Sequence, residues 1–178
     1  VIETILPRAS LLYRSDPFRE KLFAANVDQV VIVIASVPSY NEDILNAALL
    51  AAEAAEISAL ILLNKADLVA ETHSALKALA TYPTLGYELL VLSAQQDIAP
   101  LRAHLSGKTS VLLGESGMGK STLLNALLPD AKARTGDISS ALDSGKHTTT
   151  ATQMYHIDAK TKIIDSPGFQ EFGLFHLS

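Results

Sequence analysis

The residues best suited to chemistry are Gly114, Glu115, Ser116, Gly117, Met118, Gly119, Lys120 and Ser121, which together fit G-x-x-x-x-G-K-[ST]. Glycines lack a Cβ, so several backbone N–H groups can converge on phosphate oxygens. The start of the following helix, where Thr122 comes next, adds free donors and a partial positive charge. Lys120 is placed to reach the β- and γ-phosphates of a nucleotide, and the Ser121 hydroxyl to ligate Mg²⁺. Ordinary residue frequencies give such a match by chance in about one chain in a hundred of this length. The bland alternative, a glycine-rich turn with a solvated lysine, leaves the flanking strand and helix patterns unexplained.

A second set reads as a base-recognition loop: Asn64-Lys65-Ala66-Asp67, followed by Leu68. A carboxylate at Asp67 accepts from both N1–H and the 2-amino group of guanine. Adenine lacks that pair of donors and would leave a desolvated carboxylate unpaired. The Lys65 stem is expected over the base plane, and Asn64 is expected to tie this loop to the phosphate loop. Ser93-Ala94 ends a later strand and offers a backbone N–H for guanine O6.

Asp165-Ser166-Pro167-Gly168 fits D-x-x-G: Asp165 to orient a Mg²⁺-bound water, the Gly168 N–H to report the γ-phosphate. Before it lies Gly145-Lys146-His147-Thr148-Thr149-Thr150, where a threonine can complete the Mg²⁺ shell. Thr149 is favoured over Thr148. The residue after D-x-x-G is Phe169, whose ring cannot orient a water, and Gln170 falls one position late. That leaves His147 as the water-orienting candidate. The expected catalytic set is therefore His147, Lys120 and Thr149, and the expected metal set Ser121, Thr149 and Asp165.

These residues need rigid elements to place them. Strand-like apolar runs at Val27–Ala35, Ser58–Leu63, Glu88–Leu92 and Thr109–Leu113 alternate with helical patterns. The helices are expected at Pro38–Glu56 with Ser39 as N-cap, Ala70–Ala80, Ile98–Leu105 and Lys120–Leu128. Thr152–Ile157 and Lys162–Ile164 read as a hairpin around Asp158-Ala159, and residues 130–150 as a mobile loop. Strands interleaved with helices predict an α/β fold, a mostly parallel sheet flanked by helices. Val1–Tyr13 alternates weakly. Residues 1–23 are expected to be a remnant or linker from a preceding β (OB-like) module, with the nucleotide domain at 24–178.

Composition sets the remaining bounds. The chain has 178 residues, 48% hydrophobic and 19% charged, which excludes a disordered polar polymer. No apolar run approaches the ~18 residues of a membrane helix. Cysteine is absent from the sequence, so disulfides and thiolate zinc sites are excluded. A net charge of −5 provides no global attraction for nucleic acid. Residues 102–134 are locally more basic, with five Lys/Arg against two Asp/Glu, a hint of an RNA-facing edge. His73, His104, His156 and His176 share no metal-ligand spacing. The sequence begins at Val1 without a signal-type segment and reads as a piece of a longer protein.

Motif order is informative. The base loop (64–67) and Ser93-Ala94 precede the phosphate loop (114–121), the Thr segment (148–150) and D-x-x-G (165–168), whereas in the usual arrangement the phosphate loop comes first and the base loop late. Domain termini often lie close together, so a cut and rejoin leaves the spatial site intact. The order predicts a circularly permuted P-loop NTPase G domain. Motif by motif, Leu63–Asp67, the S-G-x-G-K-S loop, G-K-H-T-T-T and D-S-P-G-F-Q-E-F-G-L resemble the bacterial ribosome small-subunit-dependent GTPase A family, as does Ala24–Val30. Met118 stands where valine is usual, and Gln170 where many members carry arginine.

The resemblance implies a cytoplasmic, monomeric GTPase that uses Mg²⁺ and GTP and acts late in maturation of the small ribosomal subunit, touching its rRNA and protein. It also implies His147 as the catalytic group, an OB-fold before the domain and a zinc module after it; with no cysteine, no zinc is expected in this chain. Two rivals stand beside this reading. One is a guanine-nucleotide-gated docking module with negligible hydrolysis; the other is a permuted GTPase of the large subunit. An ATP-using kinase or ATPase is disfavoured by Asp67.

Overall fold

The structure, a computed structural model, describes residues 7–16, 19–128 and 152–166. Its centre is a six-stranded sheet. β3 (Gln29–Ala35), β4 (Ser58–Asn64), β5 (Glu88–Val91), β6 (Thr109–Leu113) and β8 (Lys162–Asp165) run parallel, and β7 (Gln153–His156) is antiparallel at one edge. The spatial order is β5-β4-β3-β6-β8-β7. All seven residues of β3 are buried, because a parallel sheet with helices on both faces has no solvated side.

The period-2 alternation of β3 divides the core. Val30, Ile32 and Ile34 face one layer with Leu45, Ala48, Leu49 and Ala52 of α1 (Glu42–Ala54). Val31, Val33 and Ala35 face the other, with Leu101 and Leu105 of α4 (Ala99–Leu105) and Leu123, Leu124 and Leu127 of α5 (Lys120–Leu127). α2 (Val69–Leu79) and the short α3 (Thr81–Thr84) join β4 to β5.

From β3 the chain builds outward through β4 to β5, then returns on the opposite side of β3 as β6. Successive loops therefore part between β3 and β6 at the carboxyl ends of the strands. Open α/β sheets place ligands in the crevice made at such a reversal. The carboxyl ends of β4, β6 and β8 come together there, because those strands are parallel and in register: Ala35 pairs with Asn64, Ile32 with Leu113 and Leu112 with Asp165.

Several boundaries depart from the sequence reading. α1 begins at Glu42, not Pro38, and Asn41 rather than Ser39 caps it, its side chain accepting from Asp43 N–H at 2.8 Å. The acidic Glu42 and Asp43 then sit in the first turn, where the helix dipole favours them. α3 is an addition the sequence pattern did not indicate. The hairpin β7–β8 turns at residues 157–161, where Asp158 Oδ1 accepts from Lys160 N–H at 2.7 Å and Thr161 N–H at 2.8 Å. Those bonds hold the Asp158 carboxyl below its ordinary pKa.

Ahead of the main sheet, β1 (Leu11–Asp16) and β2 (Arg19–Ala25) pair antiparallel in a sheet of their own. Strand structure thus continues past Tyr13, where the weak alternation had ended. Leu12 is fully buried in the same apolar layer as α1, and Ser10 Oγ bonds both the N–H and the carbonyl of Val27. No helix among the described residues is long and apolar enough to cross a membrane.

Candidate nucleotide-binding site

β6 delivers the chain to Gly114, whose Cα packs so tightly on β3 that a Cβ would meet the Val33 carbonyl oxygen. The loop then turns through Gly117 and Gly119, both at positive φ, and α5 starts at Lys120. Met118 is buried beneath the loop with Leu123 and Leu124. Ser121 and Thr122 stand exposed at the first turn of α5. The Lys120 ammonium bonds the carbonyls of Gly114 at 2.5 Å and Glu115 at 2.9 Å, curled over its own loop. Burial pushes its pKa down, while the carboxylates of Asp165 and Glu115 push it partly back.

The base loop follows β4 without a gap. Asn64 is buried, and its side chain uses both ends: Nδ2 donates to the Met118 carbonyl at 3.1 Å, and Oδ1 accepts from Ala94 N–H at 3.0 Å. One amide therefore fastens three segments that are far apart in sequence. Gly119 is part of that fit, since a Cβ there would collide with Asn64 Nδ2. Lys65 adopts a left-handed φ of 65° and donates from Nζ to the carbonyls of Val37 at 2.6 Å and Gly117 at 2.9 Å. The Lys65 carbonyl accepts from Leu68 N–H at 3.0 Å, and the Leu92 carbonyl from Ala66 N–H at 3.1 Å. Asp67 is exposed in the turn these bonds create, and Ser93 is buried beside Ala94.

Asp165 ends β8, buried, beside Leu112 of β6. Ser166 continues it, its hydroxyl donating to the Leu112 carbonyl at 2.7 Å. The structure thus brings together Asn64, Lys65, Asp67, Leu68, Ser93, Ala94, the phosphate loop and Asp165 at one edge of the sheet. His147, Thr148, Thr149 and Gly168 lie outside the described residues. No group of three or more His, Asp or Glu side chains able to hold a metal alone occurs among the described residues. The donors beside the loop, a serine hydroxyl and a carboxylate, are hard oxygens of the kind Mg²⁺ takes when phosphate oxygens and water complete its shell.

One part of the site escaped the sequence reading. Residues 36–41, of which 38–41 were expected as the start of a helix, form a loop against the phosphate loop: Val37 accepts from Lys65, Pro38 lies beside Gly117, and Asn41 N–H donates to Glu115. Pro38 and the Asn41-Glu42-Asp43 cap signal were the available clues.

This geometry frames the comparison with known proteins. The sequence profile of the RsgA GTPase family matches residues 5–175. The chain belongs to the RsgA GTPase family. It is 57% identical over all 178 residues to a Nitrosospira multiformis protein named small ribosomal subunit biogenesis GTPase RsgA, covering 57% of that protein's length. A crystal structure of YjeQ from Thermotoga maritima superposes with a TM-score of 0.67 at 29% identity, covering 94% of this chain and 54% of that one. A structure described as YloQ, a circularly permuted GTPase, gives 0.63 at 24% identity over 98% of this chain and 61% of that one, a likeness of fold. The chain thus spans little more than half of these RsgA and YjeQ relatives, and its permuted α/β fold is theirs.

Proposed function

We propose that the protein of which this chain is part binds GTP and hydrolyses it with Mg²⁺, as a switch in late maturation of the small ribosomal subunit. The observation that carries the nucleotide reading is the pair of hydrogen bonds made by the Asn64 side chain, one donated to Met118 and one accepted from Ala94, which fix the base loop, Ala94 and the phosphate loop into one cradle. Asp67 takes the guanine N1–H and 2-amino group, with Lys65 and Leu68 beside it, and the Ala94 N–H would be shared between Asn64 Oδ1 and guanine O6. The N–H groups of residues 114–122 and the Lys120 ammonium take the phosphates. To take a phosphate oxygen, Lys120 must exchange the carbonyls of Gly114 and Glu115 that its ammonium bonds.

Ser121, Asp165 and Thr149 are the residues proposed to hold Mg²⁺, directly or through water. The ion would neutralise charge developing on the transferred phosphate. Gly168 would register the γ-phosphate, and His147 would orient the attacking water. The partner reading rests on the names of the relatives and on the basic stretch 102–134. Residues 1–23 are read as a segment leading from a preceding β module, supported by the pairing of β1 and β2 in a two-stranded sheet of their own, which packs Leu12 into the α1 layer. A cytoplasmic, monomeric protein fits this reading.

The test is GTP hydrolysis by the full-length protein titrated with purified small or large ribosomal subunits. Stimulation by small subunits alone, lost in His147→Ala, is the expected result. GTP-dependent binding without phosphate release identifies a docking module, and stimulation by large subunits moves the protein to the other particle.

A further inference from the structure

Glu115 occupies the second position of the phosphate loop, where only its backbone has so far been given work. Its Oε2 accepts a hydrogen bond from the backbone N–H of Asn41 at 2.9 Å, across 74 positions of sequence. Asn41 is the N-cap of α1: its side chain accepts from Asp43 N–H, and its carbonyl accepts from Leu45 N–H at 3.1 Å. The cap's own N–H is the group a helix cannot use internally. In a capping box, a Glu or Gln at the third helical position reaches back to satisfy it. Here that position is Ile44, an apolar core residue. The phosphate loop supplies the missing carboxylate from outside the helix.

Two neighbouring contacts make the bond part of a joint. Lys65 Nζ bridges the Val37 and Gly117 carbonyls, and Pro38 lies 3.4 Å from where a Gly117 Cβ would stand. The β3–α1 segment is thus fixed to the phosphate loop on both sides of Tyr40, which packs into both apolar layers. α1 in turn shares its layer with Leu12 of β1.

We infer that Glu115 is a positioning residue: it completes the α1 capping box from the phosphate loop and so couples the start of α1 to the occupancy of the nucleotide site. The coupling rests on the proposed nucleotide reading; the capping bond does not. Hydrogen exchange of the Asn41 amide in the full chain, with and without GDP, tests both. In Glu115→Ala, Asn41 should exchange about tenfold faster, the size of one lost cap bond. GDP affinity should also weaken severalfold, while amides of β3 keep their protection.

Glu115→Gln retains an acceptor oxygen and should restore Asn41 protection. Unchanged Asn41 exchange in the alanine variant overturns the capping bond. A glutamine variant that behaves like alanine shows that charge, not the bond, is at work, and overturns it equally. Lost protection with unchanged GDP affinity overturns the coupling. GDP failing to bind the unaltered protein overturns the nucleotide reading and leaves Asn41 exchange to judge the cap.

Discussion

At Gly119 one absent carbon sets how closely two loops approach. Its φ of 95° is a conformation that side chains disfavour, and a Cβ would strike the amide that joins Asn64 to Met118. Gly119→Ala should therefore cost on the order of 1–3 kcal/mol through strain alone and displace Asn64 from at least one partner. Denaturant unfolding reads the first effect, and loss of GDP binding reads the second. Lys120 carries a pH prediction. Burial lowers its folded pKa below the ordinary 10.5, so between the two values the unfolded chain binds more protons and stability rises with pH. Phosphate binding has the opposite sign, because an anion needs the ammonium form. GDP affinity should fall as pH rises through the folded pKa, with no such inflection in Lys120→Met, by titration calorimetry across the alkaline range.

The elements differ in how they are held at their ends. α5 carries the phosphate loop at its start, and at its finish Arg102 Nη2 of α4 bonds the carbonyls of Ala126 at 3.0 Å and Leu127 at 2.8 Å. Those are terminal carbonyls that no helical N–H reaches. Arg102→Ala should cost about 1–2 kcal/mol, discounted for partial exposure, visible as a lower denaturation midpoint. The central strands were legible in the sequence because β3, β4 and β6 each contain an unbroken run of Val, Ile or Leu, at residues 30–34, 60–63 and 111–113, as a parallel sheet covered on both faces requires. The start of α1 was not. Its Ala/Leu body has clear periodicity, but periodicity says nothing about the first turn, and what fixes that turn is the Asn41 cap with a carboxylate from Glu115. Nor was α3, a single turn containing Pro83, closed by bonds from the N–H groups of Leu85, Gly86 and Tyr87. Residue types at the phosphate and base loops were readable one motif at a time. That Glu115 reaches Asn41, or Lys65 reaches Val37, depends on β4, β3 and β6 lying side by side.

For the whole molecule, the permuted order costs nothing at the site. A parallel sheet with its reversal between β3 and β6 presents the carboxyl ends of β4, β6 and β8 together, whichever of them comes first in the chain. Asn64 then acts as the rivet between base loop and phosphate loop, and Asp67 is left exposed in a turn held by Lys65, Ala66 and Leu68 backbone bonds. The central claim is that this edge is a guanine nucleotide site. Equilibrium titration with GDP and with ADP, on the unaltered chain and on Asp67→Ala, tests it most directly. GDP should bind at least ~100-fold more tightly than ADP, because adenine laid against Asp67 would take the carboxylate from water without offering it the N–H pair that guanine does, and the alanine variant should lose most of that preference. Equal affinity for the two nucleotides, or a preference that survives Asp67→Ala, would contradict the account.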